Sequence, residues 1–256
     1  MAKNLKVIST YSVGFDHIDT KYAKKKKIRV GYTPEVLTDA TADLAFSLLL
    51  DILRRVSEGD RITRGGKWKV IYGAYDYVGL DLQGKTLGIL GLGRIGRTLA
   101  KRAKAFDMKL TYYSRKRVSK TREKTLGIKY VSFEKLITQS DIISIHVPHT
   151  KETDHMFNMK IFRKMKKSAF LINTSRGKIV NTLDLIDGLE SEKVLGAALD
   201  VLENERFERF DENDRQWYSA LRSRPNVIMT PHVAGWSRES KFKMARILVE
   251  KITAFQ

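Results

Sequence analysis

Three short polar segments in the last third of the chain hold an arginine, carboxylates and a histidine, groups that can bind an anion and move a proton. They are Asn173-Thr174-Ser175-Arg176-Gly177, Asp200-Val201-Leu202-Glu203-Asn204-Glu205 and Thr230-Pro231-His232-Val233-Ala234-Gly235. Each follows an apolar run that reads as a strand. In a doubly wound sheet the carboxyl ends of strands open onto the ligand crevice, so residues distant in sequence converge there. Reducing a 2-oxo acid needs a cation to hold the carboxylate and polarise the carbonyl, and an acid to protonate the forming alkoxide. Arg176 suits the first task, because a guanidinium engages a carboxylate through two parallel hydrogen bonds. His232 suits the second, helped by a carboxylate that orients its ring. Spacing from the preceding strand does not separate Glu203 from Glu205 as that carboxylate.

A second constellation lies upstream. Thr86-Leu87-Gly88-Ile89-Leu90 runs into Gly91-Leu92-Gly93-Arg94-Ile95-Gly96, and a helical pattern begins at once. This strand–glycine loop–helix order is the context in which G-x-G-x-x-G binds a dinucleotide. Gly91 permits the turn, Gly93 lets backbone approach a pyrophosphate, and Gly96 lets helix and strand pack closely. The helix start adds N–H groups and partial positive charge. NAD enzymes place an Asp or Glu about 20 residues further on, against the adenosine ribose. Here the chain has Ser114-Arg115-Lys116-Arg117. A hydroxyl and guanidinium groups without a carboxylate favour NADP(H), with NAD(H) still possible and an exposed, ligand-free loop the bland alternative.

The elements that must position these groups follow from hydrophobic periodicity. Strand candidates are 5–10, 28–32, Thr86–Leu90, 110–113, 142–147, 169–173, 194–198 and Val227–Met229, with helical stretches at 95–106, 133–137 and 183–190. Ala42, Leu44, Ala45, Leu48, Leu49 and Ile52 recur at helical spacing in a mostly buried helix ending near Arg54. Residues 65–79, rich in aromatics and glycine, read as an ordered loop or contact arm. Lys24 to Lys27 read as a solvated helix end. Strand–helix alternation implies an α/β fold with a parallel sheet covered on both faces.

Composition narrows the classes further. The 256 residues are 42% hydrophobic, enough for a full core. A net charge of +19 raises the question of nucleic acid, but the basic residues are spread over the whole chain without a recognition motif, so no nucleic-acid role is expected. Without cysteine, disulfides and thiolate nucleophiles are excluded and a cytoplasmic setting is the default. No apolar run has the roughly 18 residues a membrane span needs, so no membrane role is expected. The five histidines show no metal-site spacing, and His17, His146, His149 and His155 read as structural or loop residues.

Taken with Val13-Gly14-Phe15-Asp16-His17-Ile18-Asp19 and Thr33-Pro34-Glu35-Val36-Leu37-Thr38, these motifs make the chain resemble the D-isomer-specific 2-hydroxyacid dehydrogenases over nearly its whole length, most closely the glyoxylate/hydroxypyruvate reductases. The resemblance implies a Rossmann domain and assigns Arg176 to the substrate, Glu205 to the histidine and His232 to acid/base work. It also implies that Val13 and Gly14 offer backbone N–H groups to the substrate carboxylate. Asp200 is implied to contact the nicotinamide carboxamide, with Val147, Pro148, Thr174 and Gly235 also at the cofactor beside Gly91, Gly93, Arg94, Ile95, Gly96, Ser114, Arg115 and Lys116.

Family members carry a further stretch before the Val13-Gly14 segment and run on beyond the last helix. The expected organisation is therefore a dinucleotide-binding domain over 34–235, including a dimerisation helix and loop, and an incomplete substrate domain from 1–33 and 236–256, as in a chain truncated at both ends. The expected function is NADPH-dependent reduction of a small 2-oxo acid of the glyoxylate/hydroxypyruvate type to the D-2-hydroxy acid, by a homodimer. The alternative is an inactive NAD(P)-binding or interaction module.

Overall fold

The structure, a computed structural model, describes residues 4–12, 14–15, 17–33, 35–68 and 77–253. The chain divides into two units, Met1–Thr41 with Ala234–Gln256, and Ala42–Val233. In the first, β1 (Val7–Ser9) pairs in parallel with β2 (Arg29–Gly31), Val7 opposite Arg29. The connection holds α1 (Thr20–Lys25), capped by the Asp19 side chain, which accepts from Tyr22 N at 2.9 Å. Lys24 to Lys27 are exposed at its end, where cations complement the helix dipole. The last helix, Arg238–Thr253, lies against this pair of strands. The Tyr11 hydroxyl donates to the Lys241 carbonyl at 2.6 Å, and Lys251 Nζ donates to the Tyr32 carbonyl at 2.7 Å.

Helix α2 (Thr38–Arg54) runs from the first unit into the second, where Ala42, Ala45, Leu49 and Leu53 are buried. A left-handed Arg55 (φ 55°) ends it, and α3 (Val56–Arg64) follows at once. Seven strands then form one parallel sheet: β3 (Thr86–Leu90), β4 (Lys109–Tyr113), β5 (Ile128–Tyr130), β6 (Ile142–Ile145), β7 (Phe170–Asn173), β8 (Gly196–Leu199) and β9 (Val227–Met229), in the order β5-β4-β3-β6-β7-β8-β9. The order reverses between β3 and β6, which places a ligand crevice at their carboxyl ends. The intervening helices are α4 (Arg94–Lys104), α5 (Lys120–Leu126), α6 (Phe133–Gln139), α7 (Met159–Phe162), α8 (Thr182–Glu190) and α9 (Glu212–Arg222).

The central strands are buried on both faces, which explains their unbroken apolar runs. Ile142, Phe170, Ile172 and Ala198 face a layer formed by α2 and α4. Ile143, Ile145, Leu171 and Ala197 face Leu136, Phe162, Leu185, Leu189 and Leu221 from α6 to α9. The sequence places β8 two residues early. Val194 is buried, but its N–H donates to the Gly188 carbonyl in the turn after α8, so sheet pairing starts only at Gly196. The aromatic residues Tyr72 and Tyr75 lie outside the described residues; Trp68 and Tyr77, at its borders, are described. Among the described residues no helix is long and apolar enough to cross a membrane.

Candidate active site

The glycine loop leaves β3 through Gly91, whose φ of 95° disfavours any side chain. A Cβ there would meet the His146 carbonyl oxygen at 2.6 Å, because the end of β6 runs alongside. The loop is tied to β4 by two bonds: Gly91 N donates to the Tyr113 carbonyl and Leu92 N to Ser114 Oγ, each at 2.8 Å. Gly96 is pressed against the Gly91 carbonyl, whereas a Cβ on Gly93 would meet no atom within 4 Å. Gly93 also forms the N-cap of α4 and has no side chain to cap it, so the first turn, Arg94-Ile95-Gly96, presents its N–H groups. Tight turn, open approach and close packing thus fall on the three glycines as a pyrophosphate cradle needs. A nearby orphan fits the same ligand: Thr174 Oγ1, just past β7, is buried without a hydrogen-bond partner.

Beyond β4 the basic loop sorts itself by contact. Arg117 donates through Nε and Nη2 to Glu123 at 2.8 Å and lies over the Tyr130 ring. Glu123 also accepts from the Tyr112 hydroxyl at 2.7 Å. Arg117 and Tyr112 hold the Glu123 carboxyl down to about 2, while burial, foremost, pushes the Tyr112 phenol up to about 12. Arg117 is therefore engaged with Glu123 and Tyr130 beside the loop. Arg115 and Lys116 are the exposed cations beside Ser114.

The polar segments after β7, β8 and β9 do meet. Past β7, Asn173 folds the chain back on itself: its Oδ1 accepts from Ser175 N and its Nδ2 donates to the Arg176 carbonyl, both at 3.0 Å. Ser175 Oγ donates to the Val147 carbonyl, which joins this turn to the half-buried Val147 and the exposed Pro148 past β6. Asp200, past β8, is 1% exposed, and its Oδ1 accepts from Thr230 Oγ1 at 2.6 Å and from Val233 N at 2.9 Å. Its carbonyl accepts from His232 N at 2.9 Å. Asp200 is thereby the anchor of the turn in which His232 takes a left-handed φ of 54°.

His232 Nδ1 lies 2.7 Å from Glu205 Oε2. Glu203 does not compete: it binds His155 at 2.5 Å and Thr182 N at 2.6 Å. The hydrogen bond to Glu205 raises the His232 pKa above its ordinary value, against the opposing effects of burial and of Arg176. With Nδ1 committed to Glu205, Nε2 is the ring atom left for a substrate proton. A cavity of about 360 Å³ opens here, lined by Asp200, Leu202, Glu205, Met229, Thr230 and His232.

Val13 lies outside the described residues, and Gly14 is in a turn of the first unit whose carbonyl accepts from Ser12 Oγ. Gly235, in the same unit, is packed against Leu37 and accepts from Ser240 Oγ at 2.5 Å. His146 bonds Ser144 Oγ at 2.8 Å, and burial pushes its pKa down to about 4. Sequence reasoning gave Thr230 no role and did not pair His155 with Glu203. Thr230 was visible as a hydroxyl two residues before His232, but nothing in the order of residues brings His155 to Glu203.

Comparison with known proteins agrees with this architecture. The sequence model described as "D-isomer specific 2-hydroxyacid dehydrogenase, NAD binding domain" matches residues 46–234. A glyoxylate reductase of Thermococcus litoralis is 46% identical over 99% of this chain and 75% of its own length. One from Korarchaeum cryptofilum is 44% identical over 100% of this chain and 74% of its own. Among solved structures, a D-lactate dehydrogenase of Aquifex aeolicus complexed with NAD and lactic acid superposes with a TM-score of 0.90 at 34% identity, covering 99% of this chain and 77% of that one.

Proposed function

This chain belongs to the D-isomer-specific 2-hydroxyacid dehydrogenases, a family of NAD(P)-dependent enzymes, and we propose that within it the chain reduces glyoxylate or hydroxypyruvate to the D-2-hydroxy acid with NADPH. The observation that carries this reading is the His232–Glu205 contact at 2.7 Å between the ends of β8 and β9. The nicotinamide supplies the hydride when bound. The cofactor would be held by the Gly91 to Gly96 loop, by Ser114, Arg115 and Lys116 at the adenosine end, and by Val147, Pro148, Thr174 and Asp200 toward the nicotinamide. Arg176 holds the substrate carboxylate, and its charge draws electron density toward the carbonyl oxygen. His232 Nε2 delivers a proton to that oxygen as the alkoxide forms, while Glu205 keeps the Nδ1 proton in place and stabilises the imidazolium beforehand. Preference for NADPH is supported by Arg115 and Lys116 being exposed while the nearby Glu123 is neutralised by Arg117.

The same reading includes a homodimer formed through α2 and the segment 65–79. Val56, Trp68 and Val78 are exposed at 59%, 70% and 56%, and Val78 lines a mostly apolar cleft of about 310 Å³ together with Ile52, Leu53, Leu80 and Phe170. Exposed aromatic and aliphatic side chains and such a cleft have the character of a contact surface.

The test is NADPH oxidation with glyoxylate and hydroxypyruvate across pH. Because the His232 pKa is raised, reduction should persist above the ordinary histidine range and fall as pH rises through the shifted value. His232→Ala should lower kcat by about 10²–10⁴-fold, the worth of a positioned proton donor. Arg176→Ala should raise KM as well, since the guanidinium also holds the ground state. A His232→Ala variant with the wild-type rate and pH profile, or cofactor binding without turnover in the intact protein, would sink the proposal.

A further inference from the structure

Arg176, placed at the substrate in the reading above, and Glu205, placed on His232, lie on different loops, and their relative position must be held to well under an ångström for the chemistry to proceed. A closed ring of contacts joins those loops. Gly177, next to Arg176, sits so tightly on the loop after β8 that a Cβ would collide with the Leu202 carbonyl and Glu203 N. Glu203 Oε2 accepts from Thr182 N at 2.6 Å, where the start of α8 favours a negative charge. Its other oxygen, Oε1, lies 2.5 Å from His155 Nε2. His155, in a left-handed conformation (φ 45°), donates its own N–H to the Lys178 carbonyl at 2.8 Å. Lys178 leads back to Gly177 and Arg176. From the same loop, Leu202 N donates to Glu205 Oε1 at 3.2 Å.

We propose that Glu203 and His155 are positioning residues that set the distance between Arg176 and the Glu205–His232 pair. The inference rests on the active-site reading above. Glu203 satisfies one orphan N–H at the α8 start and one imidazole, both fixed to the polypeptide that carries Arg176, while its backbone belongs to the loop that carries Glu205. Cutting the side chain at Cβ releases that loop from α8 and from His155 at once. The Leu202–Glu203 segment can then lift from Gly177, and Glu205 retreats from His232. Two consequences have separate signatures. The carboxylate grip of Arg176 slackens, which raises KM for the oxo acid. His232 also loses its Glu205 partner, which moves the alkaline limb of the rate profile to lower pH. The glycine loop, tied to β4 and packed beside the end of β6, is untouched.

The experiment compares Glu203→Ala, Glu203→Gln and His155→Gln with wild type in steady-state reduction of glyoxylate across pH, alongside NADPH binding by fluorescence titration. Glu203→Ala should lose about 10²-fold in kcat/KM, the cost of an ångström-scale misplacement, with higher KM, a lower-pH alkaline limb and unchanged NADPH affinity. Glu203→Gln keeps an acceptor for Thr182 N and should recover most of the loss, and His155→Gln should fall between. If Glu203→Ala does not fold, the Gln variants carry the same comparison, with the limb shift as their readout. Wild-type kcat, KM and alkaline limb in all folded variants would overturn the proposal. So would a rate loss matched by an equal loss of NADPH affinity with the limb unmoved. His232→Ala is the control: if it keeps the wild-type rate, the active-site reading itself fails, whereas a slow His232→Ala beside unaffected Glu203 variants refutes only the ring.

Discussion

His146 makes the fold acid-sensitive in a window that can be worked out. Its ring is half-buried just past β6, hydrogen-bonded to Ser144 Oγ at 2.8 Å, and desolvation brings its pKa from 6.5 to about 4. In the unfolded chain the imidazole takes up a proton as pH falls through the ordinary value, while the folded protein resists until about 4. Stability is therefore complete above the ordinary value and drains away between it and about 4, to ~3 kcal/mol at about 1.4 kcal/mol per pH unit. For a domain stable by roughly 5–15 kcal/mol this is a large fraction. Carboxylates held low in the fold, Glu123 and Asp154 among them, add their own losses only in the carboxylate range below. His232, with its raised pKa, acts in the opposite sense: its contribution is present at acid pH and lost as pH rises through the shifted value. Urea unfolding at about pH 7 and about pH 4.5 measures the difference, with His146→Gln as the comparison, since glutamine can keep the Ser144 bond without titrating. The variant should show a much flatter dependence over that interval. NADPH affinity should follow the wild-type loss, because the Gly91 turn rests on the His146 carbonyl. Equal pH dependence in the two proteins would refute the argument.

Arg115→Asp should invert cofactor preference, weakening NADPH and strengthening NADH in a binding titration; equal affinities in both proteins would remove Ser114-Arg115 as the determinant. Sedimentation at micromolar concentration should give a dimer, and Val56→Glu, at the α3 start, should shift it toward monomer; a wild-type monomer would count against this contact surface.

The sheet was legible because its central strands are buried on both faces and announce themselves as apolar runs; β3 and β9 fall where the sequence puts them. The short strand β5 and the helix α9 were not. Ile128–Tyr130 offers three residues with one lysine among them, too few for a period. Helix α9 buries only Trp217 and Leu221 on an otherwise charged surface, so its sequence reads as solvated polar chain. The same contrast runs through the site. The glycine loop is readable because its backbone demands act on neighbouring residues, and each glycine answers a local constraint. Arg115 and Arg117 are indistinguishable by type and position. Both are exposed, and only the contacts in the fold with Glu123 and Tyr130 engage Arg117.

Glu203 and Glu205 show why this is general. Both are acidic, two residues apart on one loop, and both find a histidine, at 2.5 and 2.7 Å. Which histidine each finds is set by the fold, since His155 lies 48 residues before Glu203 and His232 27 after Glu205. Residue type supplies the chemistry available to a loop, but the choice of partner is made by strand order. Because β8 lies between β7 and β9, the loop after it has one neighbour on each side. Toward β7 it meets Gly177 and the ring that we assign to positioning; toward β9 it meets His232. A carboxylate facing the first side anchors, and one facing the second tunes a proton donor. Neutralising only the second, as Glu205→Gln with Glu203 intact does, should therefore cost catalysis while leaving the loop in place.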